Sequence, residues 1–175
     1  VNPVSEHLIV IPVFNEAATI GDIVERARLH GPVLVVDDGS TDASAEVAAR
    51  AGAEVVSLGR RRGKGAALRH AFAEGQKRGV GWVVTLDGDG QHDPDDIPRL
   101  LKAAVEEPGA FVIGGRLGRL ADAPAKVMPA GRLAALRVAG FFIVWLGGVP
   151  VADSQSGFRV YPAGLLAAVR PRHGG

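Results

Sequence analysis

The segment Asp87-Gly88-Asp89-Gly90-Gln91-His92 carries two carboxylates on alternate residues, followed two positions on by an amide. In an extended stretch, that alternation puts both carboxylates where one hard cation can bind them, and Gly88 leaves room for a ligand to approach the backbone. Carboxylate and amide oxygens suit Mg²⁺ or Mn²⁺, which keep positions open for the phosphates of a substrate. The alternative without a ligand is a turn capped by its own aspartates. A calcium loop would need Gly where His92 stands and Glu where Pro98 stands, so that chemistry is excluded. A phosphatase with an aspartyl nucleophile also follows a strand with Asp-x-Asp-Gly, but Gln91 replaces its Thr or Val.

Three further polar motifs accompany this one. Gly63-Lys64-Gly65 precedes a helical pattern, which suits backbone contact with an anion at the helix start. The dinucleotide fingerprint would need a small residue at Leu68, and the phosphate loop a hydroxyl at Gly65, so both glycine-loop classes are disfavoured. Arg60, Arg61, Arg62 and Lys64 read either as a solvated basic turn or as a nucleotide contact. Asp37-Asp38-Gly39-Ser40-Thr41-Asp42 reads as a tight turn with Thr41 or Asp42 capping the next helix, or as a binding loop. A carboxylate at such a strand end can accept the ring N–H of a nucleobase. Asn15 and Glu16 read as caps of the first helix or as part of the same site.

Arg116, Arg132, Arg137 and Arg159 lie in the second part of the chain, and several arginines converging on one site would make a phosphate clamp. Scattered surface arginines are the plainer alternative. Of the five histidines only His92 is near these motifs, where loop packing is its expected role.

The motifs must be held by elements. Leu8 to Val13, Val33 to Val36, Glu54 to Leu58, Trp82 to Leu86 and Phe111 to Ile113 read as short buried strands. Ile20, Ile23, Val24 and Ala27 follow helical spacing, as do Leu68, Ala71, Phe72 and Gly75, and Ile97, Leu100, Leu101 and Ala104. Alternating continuous strands and amphipathic helices imply an α/β fold with a mostly parallel sheet covered on both faces. Ligands of such sheets sit at the carboxyl ends of the strands, and four motifs fall at four of those ends.

Composition limits the alternatives. The 175 residues are 47% apolar and 22% charged with no cysteine, which excludes a disordered tail, a disulfide scaffold, a thiolate metal site and a cysteine nucleophile. The net charge of +1 is a cancellation: residues 1–108 hold 12 Lys and Arg against 17 Asp and Glu, and residues 109–175 hold 8 against 2. An acidic half is a poor nucleic-acid platform and a good cation site, whereas a basic half suits phosphates or an anionic surface. The first apolar run is too short for a signal peptide. Val138 to Ala152 is free of charge but broken by Gly147, Gly148 and Pro150, so a core or interfacial helix is expected there rather than a spanning one. The chain begins at Val and ends at Gly175 without a terminal element, and is expected to be a fragment of a longer protein.

Ile11-Pro12-Val13-Phe14-Asn15-Glu16, Val35-Val36-Asp37-Asp38-Gly39-Ser40, Gly63-Lys64-Gly65, Asp87 to His92 and Gly157-Phe158-Arg159, in this order, resemble family 2 glycosyltransferases. The branch most similar contains dolichol-phosphate mannose synthases and polyprenyl-phosphate sugar transferases. The resemblance implies a single GT-A catalytic domain over 1–175, with a nucleotide-sugar and metal half (1–115) and an acceptor half (116–175). It implies an inverting, metal-dependent transfer of a hexose, mannose or glucose, from a GDP- or UDP-sugar to a polyprenyl or dolichyl phosphate, by a protein peripheral to the cytoplasmic face of the membrane. Carried over by position, Pro12, Phe14, Glu16, Val36, Asp38, Lys64, Asp87, Gly88 and Asp89 would hold the donor, with Asp38 toward the base. Asp87, Asp89 and Gln91 would bind Mg²⁺ or Mn²⁺, and Arg116 and Arg132 would face the acceptor phosphate, with Asp87, Asp89 and Arg116 the catalytic set. Phe14 replaces a frequent tyrosine, and Gly90-Gln91 departs from the Leu-Ser of the mannose synthases, which leaves the sugar open. A hydroxyl acceptor would require a base, for which Asp153 is the candidate. A sugar nucleotidyltransferase shares the sheet and metal but needs a Gly-Gly-x-Gly-Thr-Arg loop where Asn15-Glu16-Ala17 stands.

Overall fold

The computed structural model describes residues 7–106, 112–114 and 156–163. Strands β1 (His7–Val13), β2 (Val33–Asp37), β3 (Glu54–Ser57) and β4 (Trp82–Thr85) alternate with helices α1 (Ile20–Ala27), α2 (Ser44–Arg50) and α3 (Lys64–Arg78). A 3₁₀ turn (Pro94–Asp96), α4 (Ile97–Glu106), β5 (Val112–Ile113) and β6 (Arg159–Pro162) follow. The sheet order is β3-β2-β1-β4-β6-β5. β3, β2, β1 and β4 are parallel, and β6 runs antiparallel to both β4 and β5. The expected mostly parallel α/β sheet is found.

Period-two alternation sorts the strand residues between two cores. Ile9, Ile11, Val13, Val35 and Val84 pack with Ile20, Ile23, Val24, Ala48, Ile97 and Leu100 of α1, α2 and α4. Leu8, Val10, Leu34, Val36 and Val83 pack with Ala67 and Ala71 of α3 on the other face. Each fully buried Val, Leu or Ile among them stabilises the fold by about 1.5–3 kcal/mol, and the alanines by less. Both faces being covered is why β2 is buried at every residue and reads as a continuous apolar run.

Three features differ from the sequence expectation. β6 is absent from the strand set, because Arg159-Val160-Tyr161-Pro162 is short, amphipathic and ended by proline; it is nevertheless inserted between β4 and β5, so chain from beyond residue 116 completes the same sheet that holds the first half. The buried seam of α3 is Ala67, Ala71 and Gly75, one residue out of phase with the larger side chains. Small residues let the helix approach the sheet, while half-buried Phe72 packs at the edge of this core and meets Tyr161 edge-on at 4.8 Å. Helix α1 has no side-chain cap from Asn15 or Glu16: Thr19 stands at its cap position, and the Glu16 carbonyl receives the N–H groups of Thr19 and Ile20. Arg116, Arg132, Arg137, Asp153 and the apolar run Val138 to Ala152 lie outside the described residues. Among the described residues, no helix is long and apolar enough to cross a membrane.

Candidate active site

The carboxyl ends of β1, β2 and β4 and the first turn of α3 enclose a cavity of about 270 Å³ lined by Pro12, Val13, Phe14, Glu16, Asp38, Arg61, Gly63, Lys64, Ala67, Asp87 and Asp89. This is the crevice where parallel strand order turns from β1 outward in both directions, the position at which α/β sheets bind ligands.

The loops that form it are tied to one another. Asn15 sits at φ 56°, a left-handed conformation that asparagine tolerates, and so turns the chain back toward the β2–α2 loop. Its side chain accepts the Thr41 N–H at 2.8 Å, and the Glu16 N–H reaches the buried Ser44 hydroxyl at 2.8 Å. Asp42 accepts the N–H groups of Ser44 and Ala17 and so ties the two loops together. The expected cap at Thr41 or Asp42 is not found: Ala43 occupies the cap position of α2, with no side-chain cap. The two neighbouring aspartates of the next loop divide their tasks. Asp37 is buried and accepts from the Ser40 N–H and the Ser57 hydroxyl, both at 2.9 Å, which makes it structural. Asp38 faces the cavity, and its two carboxylate oxygens accept the N–H groups of Arg62 at 2.7 Å and Gly63 at 2.8 Å. Each oxygen retains a second lone pair for a ligand. Gly39, at φ 78°, lets this loop touch the Arg60 backbone, which a Cβ would displace.

Of the three consecutive arginines, Arg61 turns inward and places its guanidinium 4.3 Å from the centre of the Phe14 ring. Sequence reasoning grouped it with Arg60 and Arg62, because no periodicity in a loop says which side chain points in. Lys64, at the start of α3, pairs with Asp87 at 2.5 Å. A cation thus already sits on the first carboxylate of the Asp87-Gly88-Asp89 motif.

The motif itself is anchored from below. The Thr19 hydroxyl donates to the Gly88 carbonyl at 2.6 Å, and Arg26 of α1 pairs with both Asp93 and Asp95 just beyond the motif. The Arg26 guanidinium holds the Asp95 carboxyl below its ordinary range. The room expected beside Gly88 for a ligand is filled by the Glu16 carboxylate: a Cβ on Gly88 would collide with Glu16 Oε2. That oxygen is buried without a hydrogen-bond partner. Burial, and then repulsion by Asp89 and Asp87, push the Glu16 carboxyl from 4.5 up to about 7.

Asp87 and Asp89 reach the cavity together, and the Gln91 N–H donates to Asp89 Oδ1 at 3.0 Å, fixing that carboxylate. Gln91 itself is exposed and is not among the lining residues. Among the described residues, no three His, Cys, Asp or Glu side chains gather as a metal cage. Two carboxylates on an open wall nevertheless fit Mg²⁺ or Mn²⁺, whose remaining positions are filled by water and substrate phosphates. Val36 is fully buried in the second core, so its side chain is packing, and any contact with a ligand would pass through its backbone. Arg159 donates to the Ser156 carbonyl at 2.7 Å and does not line the cavity. His92 packs as expected: it is buried against the Phe158 ring and the Ser156 hydroxyl.

The model of glycosyl transferase family 2 matches residues 8–143. The chain belongs to this family. It is 33% identical over 97% of its length to a polyprenol monophosphomannose synthase of Mycolicibacterium smegmatis, of which it covers 66%. It is also 31% identical over 93% of its length to an undecaprenyl-phosphate mannosyltransferase of Micrococcus luteus, of which it covers 68%. The chain thus spans between about half and two thirds of the length of the curated relatives it matches. Among solved structures, it superposes on glucosyl-3-phosphoglycerate synthase from Mycobacterium tuberculosis in complex with phosphoglyceric acid, with a TM-score of 0.71, 25% identity and coverage of 92% of this chain and 58% of that one. Another structure of that enzyme, with Mn²⁺, UDP and glucosyl-3-phosphoglycerate, is 28% identical with a TM-score of 0.64 and similar coverage, 92% and 58%. The fold of this glycosyltransferase-family chain is therefore GT-A.

Proposed function

We propose that this chain is the catalytic part of an inverting glycosyltransferase that moves a hexose from a GDP- or UDP-sugar to a polyprenyl phosphate at the cytoplasmic face of a membrane. The observation that carries the reading is the cavity in which Phe14, Asp38, Lys64, Asp87 and Asp89 meet, in a family member similar over 97% of this chain to a polyprenol monophosphomannose synthase.

In this reading Phe14 offers a ring face to the base and Asp38 accepts a ring N–H on its spare lone pairs. Lys64 leaves Asp87 for the donor diphosphate, so that its charge meets the leaving group. Asp87 and Asp89 would hold Mg²⁺ or Mn²⁺, with Gln91 assigned to it by the sequence resemblance alone, and the ion would supply Lewis-acid stabilisation of the departing diphosphate. The acceptor phosphate attacks the anomeric carbon from the opposite face with no general base, since a phosphate monoester with a second pKa near about 6 is already an anion at neutral pH. Arg116 and Arg132 are assigned to that phosphate by the sequence resemblance alone.

A second reading has support in the structural neighbours that bind phosphoglyceric acid: transfer to a soluble hydroxyl acceptor, with a base such as Asp153. One assay separates the two. Purified protein is given UDP- and GDP-hexoses with Mg²⁺ or Mn²⁺, with and without polyprenyl phosphate, and release of nucleoside diphosphate is followed. Release that requires the lipid phosphate is the expected result, and turnover indifferent to it would transfer the reading to the hydroxyl acceptor.

A further inference from the structure

The start of β6 lies against the cavity wall from outside. A Cβ built on Gly157 would fall inside 3.0 Å of the Asp87 Cγ and of both its carboxylate oxygens. The Asp87 carboxylate, which Lys64 also meets, therefore rests on the bare Cα of Gly157.

Something must move if a side chain is added at 157, and the bonding decides what. The Gly157 carbonyl accepts the buried Thr85 hydroxyl at 2.8 Å. Its neighbour Ser156 is fully buried, donates its hydroxyl to the Gly114 carbonyl at 2.5 Å, and accepts the Phe158 N–H at 3.2 Å. With that hydrogen spent on Gly114, the contact between His92 Nε2 and the Ser156 oxygen at 3.3 Å has the ring N–H as donor. Phe158 is 2% exposed and its carbonyl accepts the Gly114 N–H at 2.8 Å. The backbone at 157 is thus held from both sides, whereas the Asp87 carboxylate is the end of a side chain that turns about two bonds.

We infer that Gly157 is a positioning residue: its missing side chain sets the direction in which Asp87 presents its carboxylate to the cavity. The inference rests on the reading of Asp87 as a donor-site ligand. It also gives the Ser156-Gly157 pair a purpose beyond the sheet, because the residue next to Gly157 is bonded to the Gly114 carbonyl at the end of β5.

The test is a cycle of Gly157→Ala, Asp87→Ala and the double variant, scored by calorimetric binding of UDP and GDP with and without Mn²⁺, by thermal melting, and by the NMR resonance of the Asp87 Cγ. The expected result is a Gly157→Ala protein that melts close to the parent, shows a displaced Asp87 Cγ resonance, and loses about tenfold or more of its Mn²⁺-dependent diphosphate affinity. In the Asp87→Ala background the same substitution should change affinity by less than about twofold, because the group it displaces is gone. Independent, multiplying losses would overturn the inference, as would an Asp87 resonance unmoved by the alanine. If Asp87→Ala binds diphosphate like the parent, the donor-site reading falls, and the positioning claim is then decided by the resonance alone.

Discussion

The Arg61 guanidinium covers the Phe14 ring at 4.3 Å, joining the loop after β3 to the loop after β1 across the mouth of the cavity. An exposed cation–π pair contributes only about 0.5–1 kcal/mol, so its loss should scarcely change melting. Stacking of a base on an aromatic ring is worth about 1–3 kcal/mol. Phe14→Ala is therefore expected to weaken UDP or GDP binding about tenfold or more while the fold persists, as measured by calorimetry. Unchanged affinity would remove Phe14 from the donor site.

Asp38 gives a different signature, because both its oxygens hold backbone N–H groups of Arg62 and Gly63. Hydrogen bonds to a charged group are worth about 1.5–3 kcal/mol each, partly offset by hydration of the released loop. Asp38→Ala should lower stability by roughly 2 kcal/mol. Because Arg60, Arg61 and Arg62 lie in the freed loop, trypsin should cut there much faster than in the parent. Equal cleavage rates would show that the loop is held by something else.

Glu16 makes stability depend on pH. Its folded-state carboxyl titrates at about 7 against the usual 4.5, so the folded protein favours the protonated form. Its effect on stability is absent below about pH 4.5, grows as pH rises through 7, and is complete above. Allowing for the solvent screening of a half-exposed group, Glu16→Gln should be more stable than the parent by on the order of 1 kcal/mol at alkaline pH, with the gap closing toward the acid end. Denaturant unfolding in EDTA at several pH values measures this, and a gap constant with pH would refute it.

Asp89 is exposed, so its removal should leave the fold intact. As a ligand of the ion that stabilises the departing diphosphate, it should matter for turnover by about 10²–10³. Asp89→Ala with near-parental nucleoside diphosphate release in Mn²⁺ would show that the metal is held elsewhere.

Much of this site could be read along the chain because its parts are local. Asp87 and Asp89 are bound to share a wall once β4 ends at Thr85, and Asp38 once β2 ends at Asp37. What could not be read are the contacts made across loops. Asp37 and Asp38 are chemically identical neighbours, and only the positions of Ser57 and of the Arg62-Gly63 backbone make one structural and the other a cavity residue. Glu16 was read as a helix cap or donor ligand, and its unpartnered oxygen appears only when Gly88 is folded against it.

By itself, the sequence determined the alternation of strands and helices and the gathering of the polar motifs at one sheet edge, since buried parallel strands require apolar runs and their ends require polar loops. Tertiary structure alone decided that Arg159-Val160-Tyr161-Pro162 is a strand, that it lies antiparallel beside β4, and that Gly157 consequently supports Asp87 from seventy residues away. A four-residue strand has too little pattern to declare itself. Its place comes from pairing with β4 and β5, and long-range pairing is not written in any local window.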